Sequence, residues 1–384
     1  MTYLRNVLPL LSRVDESQQY LVLVPPAQES QFAFLSNNRI NIRTVKVSGT
    51  LKRMVWEQIG LRQLLETEQI NVLVSLGNFA LLASTTPQIL FNRNDLFFSK
   101  EFDWDLRRRN LVGMLVSHKL KSWLARQSIR QATINVTPTN AFAKRIRSRR
   151  KLSGIKIETL HFGFDSEGFF KNQASLPDSL TARLDLRKEC RRVLFVSHYN
   201  YFRNFETLLR ALPLIKSELK QQTGESVQLV LTTDIRRGAV YGGYDATAAA
   251  ELIDQLGVRN DIAMLGAVDY GNLHQLYKLC DVFVCPSYSE SFGHPLVEAM
   301  ASGVPVVSAN LPVHREICED AAVYFDVFDE KELAERCVQV LTSGGLREQL
   351  RIRGLDRSRE FSWQEHVRQL TALIRRVAEQ NTIK

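Results

Sequence analysis

Glu290 and Glu298 stand with seven residues between them in the stretch Glu290-Ser-Phe292-Gly293-His294-Pro295-Leu296-Val-Glu298. Pro295 suits the first turn of a helix, where its missing N–H costs nothing, and Gly303 suits the position just past the helix end. A helix starting at Gly293 or His294 turns the unsatisfied N–H groups of the span from Gly293 to Leu296 outward, an arrangement that stabilises a phosphate. Gly293 lets backbone and ligand approach closely. Glu298, about one turn in, can accept hydrogen bonds from two neighbouring hydroxyls such as those of a ribose. Glu290, in the loop before the helix, can do the same for a sugar ring. Two carboxylates flanking a phosphate-binding helix start suit a sugar joined to a nucleoside diphosphate.

The elements around this stretch must hold it in place. Short β-branched runs alternate with helical segments through the second half of the chain, the order that makes parallel βαβ units and a doubly wound sheet. Strands are expected over 193–197, 227–233, 262–266, 282–287, 304–309 and 322–326, with helices over 205–219, 247–256 and 272–280. Ligands bind open sheets of this kind at the carboxyl ends of the strands, so the loops after Ser197, Gly266 and Ser287 are the places to search. The first half is also α/β but less regular. Its expected strands are 20–24, 72–75, 88–91, 133–136 and 155–160, and its expected helices are 2–12, 50–67, 109–131 and 140–151. A linker over 165–179 separates the halves. The chain opens inside an amphipathic helix, so the first half is expected to lack the strand and glycine-rich turn that usually begin a Rossmann-like domain.

The wording around the two glutamates resembles the glutamate, seven residues, glutamate motif of retaining family-4 glycosyltransferases with the GT-B architecture. Pro286-Ser287, Phe292-Gly293, Pro295-Leu296, Glu298-Ala299-Met300-Ala301 and Gly303-Val304-Pro305-Val306 all match. The family carries an arginine and a lysine-asparagine pair after the first strand of its second domain to neutralise the diphosphate. Here Arg203-Asn204 takes the lysine-asparagine position, keeping the charge and adding a bidentate fork, and His198 falls near the expected arginine. Leu160-His161-Phe162-Gly163-Phe164-Asp165 resembles the interdomain hinge, and Phe361-Ser362-Trp363 resembles the segment that crosses back to the first domain.

The resemblance implies a fold of two Rossmann-like domains facing a cleft: an acceptor-binding domain over 1–166, a donor-binding domain over 167–362, and a helix over 363–384 packing back on the first. It implies transfer of a hexose-type sugar from a UDP- or GDP-sugar to a hydroxyl of a glycan, a lipid-linked or a small-molecule acceptor, with retention and without a metal or other cofactor. Glu290 is then the catalytic-site residue that orients the donor sugar. Arg203, His198, Phe292, Gly293, His294, Pro295, Leu296 and Glu298 make up the donor site. Many relatives place a histidine after a mid-domain strand; Leu90-Phe91-Asn92-Arg93-Asn94-Asp95-Leu96 stands there without one, leaving Asn94 and Asp95 as acceptor-side candidates. The alternative is a non-catalytic nucleotide-sugar-binding protein or a truncated, inactive homologue. An epimerase of the same architecture is a third reading, and a phosphorylase would need a pyridoxal-phosphate lysine for which no position stands out.

Composition bounds these readings. With 45% hydrophobic and 24% charged residues over 384 positions, the chain has the make-up of a globular protein with room for two ordinary cores. No apolar run approaches the roughly 20 residues of a membrane span, and the start lacks the order of a secretory signal, so a cytoplasmic protein is expected. The five cysteines, odd in number and without a CxxC pair, read as reduced thiols. The net charge of +9 is uneven: residues 1–165 hold 24 Lys/Arg and 12 Asp/Glu (+12), and 166–384 hold 26 and 29 (−3). From Arg107 to Lys151 there are 13 basic residues and no acidic one. Such a stretch is either a solvated face or a surface for an anionic partner. Aromatics for base stacking do not interleave its closing run, Lys144 to Lys151, so peripheral attachment to an anionic membrane ranks above nucleic acid.

Overall fold

Six strands of the second half form one parallel sheet, and their apolar character explains why. Val282 to Cys285 and Val306 to Ala309 are buried along their whole length, as strands covered by helices on both faces must be. In the computed structural model, which describes residues 2–14, 17–47, 49–171 and 175–382, the chain divides into two units. Unit 1 comprises 1–98, 116–163 and 362–384, and unit 2 comprises 99–115 and 164–361. Residues 99–115, early in the sequence, thus pack with the later unit. Residues 172–174, within the expected linker, lie outside the described residues.

Unit 1 begins with the helix Thr2–Val14. Strands β1 (Tyr20–Val24) and β2 (Ile40–Thr44) pair in parallel, separately from a four-stranded parallel sheet of β3 (Leu73–Ser75), β4 (Gln88–Phe91), β5 (Ile134–Thr137) and β6 (Ile157–Thr159). The expected helix over 50–67 is two helices, Thr50–Gln58 and Gly60–Thr67. The final helix, Trp363–Thr382, packs on the first. The Tyr3 hydroxyl lies 2.8 Å from His366 Nε2, and His366 Nδ1 lies 2.8 Å from the His161 carbonyl. Burial lowers the His366 pKa to about 4, so the ring is neutral; Nδ1 carries the proton for the carbonyl and Nε2 accepts from Tyr3. Phe91, Phe162 and Trp363 close around this pair.

Unit 2 holds β7 (Cys190–Phe195), β8 (Ser226–Leu231), β9 (Ile262–Met264), β10 (Val282–Cys285), β11 (Val306–Ala309) and β12 (Ala322–Phe325) in the order β9-β8-β7-β10-β11-β12, all parallel. The chain winds outward from β7 in one direction and from β10 in the other. The loops leaving these two neighbours therefore diverge, and the crevice between them is the topological switch point where doubly wound sheets bind ligands.

Candidate functional site

The two diverging loops are laced together by side chains. The loop after β7 turns through a short 3₁₀ segment, Tyr201–Arg203, capped by the Asn200 carboxamide, which accepts from the Arg203 N–H at 3.1 Å. Asn204 follows in a left-handed conformation (φ 55°), tolerable for its short polar side chain. Its Nδ2 donates to the Pro286 carbonyl at 3.1 Å, while its Oδ1 accepts from Thr207 at 2.9 Å. Across the crevice, the Tyr288 N–H donates to the Phe202 carbonyl at 3.0 Å.

This lacing brings Arg203 and Glu290, distant in sequence, into a direct ion pair. The Arg203 side chain is 22% exposed and that of Glu290 is 12% exposed. Arg203 Nη1 also donates to Ser287 Oγ at 3.3 Å, and its Nε is buried without a partner among the described residues. Burial pushes the Glu290 carboxyl up, but Arg203 outweighs it and holds the group below its ordinary value. Burial lowers the Arg203 pKa and Glu290 reverses that, for a net rise. Both groups are therefore charged at neutral pH. Behind them His314 is fully buried, its Nδ1 2.9 Å from the Ala309 carbonyl and 2.8 Å from Ser308 Oγ. Burial lowers its pKa to about 4, so it is a neutral support for the wall beneath the pair.

The helix His294–Ala301 follows as its proline and glycine require. Gly293 caps it at φ +91°, and a Cβ there would stand 2.8 Å from Leu296 Cδ1, so no other residue fits without strain. The four positions expected to face an anion do not all do so. Pro295 has no N–H, and the Leu296 N–H turns back to the Gly293 carbonyl at 2.9 Å. Pro295 and Leu296 therefore offer no N–H to an anion at this helix start. The side chains of Phe292 and Leu296 are buried, and Phe292 packs on His294 and Phe361; they brace the turn.

Glu298 lies one turn along, only 7% exposed, with the Tyr277 hydroxyl 3.2 Å from its Oε2 and 3.3 Å from the Pro295 carbonyl. Burial raises its pKa to about 7, with Tyr277 acting in the opposite direction. His198 is exposed, and the Ser197 and Asn200 side chains bond to its carbonyl. In unit 1, Asn94 Oδ1 accepts from the Leu96 N–H at 3.1 Å, and buried Asp95 is ion-paired with Arg145. Both have local work in the loop after β4.

Sequence reasoning did not find Asp105, Arg109 and Tyr288. The Tyr288 hydroxyl donates to Asp105 Oδ2 at 2.9 Å, a contact spanning almost half the chain, for which short-range spacing carries no signal. It also passed over Tyr277 as a partner of Glu298 and His314 as the support beneath the pair.

A switch-point crevice lined by an ion pair, a glycine-capped helix start and a buried carboxylate can hold a phosphate-bearing, hydroxyl-rich ligand. Comparison with known proteins shows what the chain is similar to. Residues 179–357 match the family model described as glycosyl transferases group 1. The O-antigen chain mannosyltransferase B of Escherichia coli is 30% identical over 171 residues, covering 44% of this chain and 42% of that protein. The chain spans about half the length of the curated relatives it matches. Among solved structures, sucrose-phosphate synthase from Thermosynechococcus elongatus has a TM-score of 0.68 at 14% identity over 94% of this chain and 99% of that one. Anabaena HepE in complex with UDP-glucose has a TM-score of 0.65 at 17% identity over 100% and 95%. At these identities the structural likeness speaks for the fold. The chain has the GT-B fold, and within its second unit residues 179–357 match the glycosyl transferases group 1 family model.

Proposed function

We propose that unit 2 binds a nucleoside diphosphate sugar, UDP- or GDP-linked, and that the protein transfers its hexose-type sugar to an acceptor hydroxyl with retention of configuration. The ion pair of Arg203 and Glu290 at the switch point carries this reading. Arg203 supplies a fixed cation for the diphosphate beside the Gly293 cap, so the leaving group can be stabilised electrostatically without a metal. Glu290 accepts from sugar hydroxyls and fixes the ring; Glu298 accepts from the ribose. In the transfer, the bond from the anomeric carbon to the diphosphate oxygen breaks as the acceptor oxygen bonds to that carbon. The acceptor proton passes to the departing diphosphate. His198 is a second diphosphate contact, through its exposed ring, and within unit 1 Asn94 is the residue for the acceptor. Asp95, already paired with Arg145, holds the loop that carries it.

The test is calorimetric titration of UDP, GDP and their hexose conjugates, followed by product analysis with hydroxyl acceptors. Tight binding of one donor with transfer is the expected result. Binding without transfer to any acceptor would leave a nucleotide-sugar-binding protein, and sugar interconversion without acceptor would make it an epimerase.

Glu298 gives this reading a pH signature. Its folded pKa of about 7 lies above its ordinary 4.5. Between those values the unfolded chain holds fewer protons than the folded one, so stability from this group is present below pH 4.5 and declines as pH rises to about 7. The full loss is on the order of 3 kcal/mol. Ribose hydroxyls favour the ionised carboxylate, so donor affinity should rise with pH between about 5.5 and 8. Glu298→Gln should flatten both profiles while binding the donor more weakly at pH 8; unchanged profiles would remove Glu298 from the site.

An anionic bilayer surface is the partner we propose for the basic stretch. The helix Val112–Gln131 turns His118, Ser122, Ala125 and Ile129 inward, yet Val116, Leu120 and Trp123 are 63%, 58% and 52% exposed. Spaced at four and three residues, they form one outward stripe, with Lys119 and Lys121 beside it. Apolar stripe and basic flank together suit a helix lying at a lipid headgroup interface. Among the described residues no helix is long and apolar enough to cross a membrane. Flotation should show salt-sensitive binding to phosphatidylglycerol vesicles and none to phosphatidylcholine, reduced about tenfold or more by Leu120→Ser with Trp123→Ser. Equal flotation of variant and parent would sink the assignment. The inner face of a membrane bordering the cytoplasm is the location this implies.

A further inference from the structure

Unit 2 includes one segment drawn from the early part of the chain, residues 99–115, and that segment touches both loops of the donor crevice. Its helix, Lys100–Arg108, is started by Ser99, whose hydroxyl accepts from the Phe102 N–H at 3.1 Å. Phe102 packs edge-on to Phe202, next to Arg203, at 6.4 Å between ring centres. Arg109 stacks over Tyr201, 4.1 Å from the ring centre, and donates to Glu206 at 2.7 Å in the first turn of the following helix. Asp105 is 1% exposed; it accepts from Arg108 and Arg109 through Oδ1, at 2.9 and 3.0 Å, and from Tyr288 through Oδ2 at 2.9 Å. Tyr288 stands between Ser287, which accepts from Arg203, and Glu290, and its ring rests on Phe328.

We propose that residues 99–115 are a positioning clip for the donor loops. Asp105, through the Tyr288 hydroxyl, sets where Glu290 stands, while Phe102 and Arg109 set where Arg203 stands. The arrangement fits this role better than simple packing. The clip places its buried carboxylate on Tyr288, two residues before Glu290 in the loop after β10. It satisfies that carboxylate with cations from its own helix end, so loop and clip form one closed hydrogen-bonded network. Burial and the neighbouring Asp105 both raise the Tyr288 pKa, so the hydroxyl remains a donor throughout the working pH range. The proposal rests on the nucleotide-sugar reading of the crevice, but its structural half can be tested without any ligand.

Tyr288→Phe is the discriminating variant, because it deletes one hydroxyl, keeps the ring on Phe328 and leaves Asp105 paired with its arginines. Hydrogen exchange should quicken about fivefold or more at residues 288–291, with β11 unchanged. In calorimetry, the gain in affinity of UDP-glucose over UDP, or of GDP-mannose over GDP, should shrink in Tyr288→Phe and in Glu290→Gln. The double variant should lose less than the two singles combined. Asp105→Asn should reproduce the exchange change in the loop after β7 as well. Unchanged exchange overturns the clip. Faster exchange with an intact sugar-dependent gain, or a fully additive double variant, overturns its positioning role. If the parent binds no nucleotide or nucleotide sugar, the reading of the crevice falls together with that role, and exchange alone decides whether the clip holds the loops.

Discussion

Arg203→Met is expected to weaken donor binding at least about a hundredfold, roughly 2.7 kcal/mol, and to destabilise unit 2 by about 3 kcal/mol, the low end for breaking a largely buried pair. The two losses have different origins. Binding falls because the cation that Glu290 holds in the switch-point crevice is gone. Stability falls because Glu290, 12% exposed, is left without its partner. In the parent, Arg203 holds the Glu290 pKa low, so that contribution is present at neutral pH and lost as pH falls below 4.5. In the variant, burial raises the pKa against only the remaining pull of His314 and the Ser291 N–H, so the deficit is largest at neutral pH and shrinks toward pH 4. Arg203→Met combined with Glu290→Leu should recover most of the stability, since an apolar pair replaces a buried ionic one at little cost. It should recover no binding. Denaturant titrations at pH 4.5 and 7.5 beside calorimetry read all of these. A double variant that regained donor affinity would show that the pair is structural only.

Gly163→Ala is expected to act through the backbone of unit 1 and to lower its stability by about 3 kcal/mol or more, a fall of about 8 °C in Tm. A Cβ on Gly163 would stand 2.1 Å from the Trp363 nitrogen and 2.5 Å from its Cα. Neither atom can retreat easily. Trp363 is 6% exposed, stacks on Phe162 at 5.9 Å and meets Tyr3 and His366 edge-on. Moving it disturbs the start of the final helix and the Tyr3–His366 hydrogen bond together. Gly154→Ala is the control, because a Cβ there meets nothing within 4 Å. Equal melting temperatures for the two variants would show that the Gly163 approach is not close in solution.

Sequence periodicity exposed the six-stranded sheet well because its strands are buried on both faces and flanked by turn residues; Val282 to Cys285 is apolar at every position. The edge pair was harder. Ile40–Thr44 reads Ile-Asn-Ile-Arg-Thr, an alternation short enough to pass for a loop, and it was not expected as a strand. The helix Lys100–Arg108 is rich in charge, so its few inward residues, Phe102, Asp105 and Leu106, are a faint signal. At the site, local spacing pointed to Glu290, Glu298 and Gly293, since a capped helix is a short-range feature, while Arg203 was implied by the family resemblance. It could not reveal that Arg203 pairs with Glu290, that Tyr277 reaches Glu298, or that Leu296 spends its N–H on Gly293. Those follow from how strands line up and how a turn closes.

The division of the chain at 98/99, 115/116, 163/164 and 361/362 bears on recombination among glycosyltransferases. Exchanging first units between relatives invites a cut beside Gly163, as though the gene were two modules in series. A chimera cut there would inherit residues 99–115 from the foreign parent and seat an unrelated sequence against Tyr288 and Glu206. The compatible splice keeps 99–115 with the second unit, as an island of native sequence inside the grafted one.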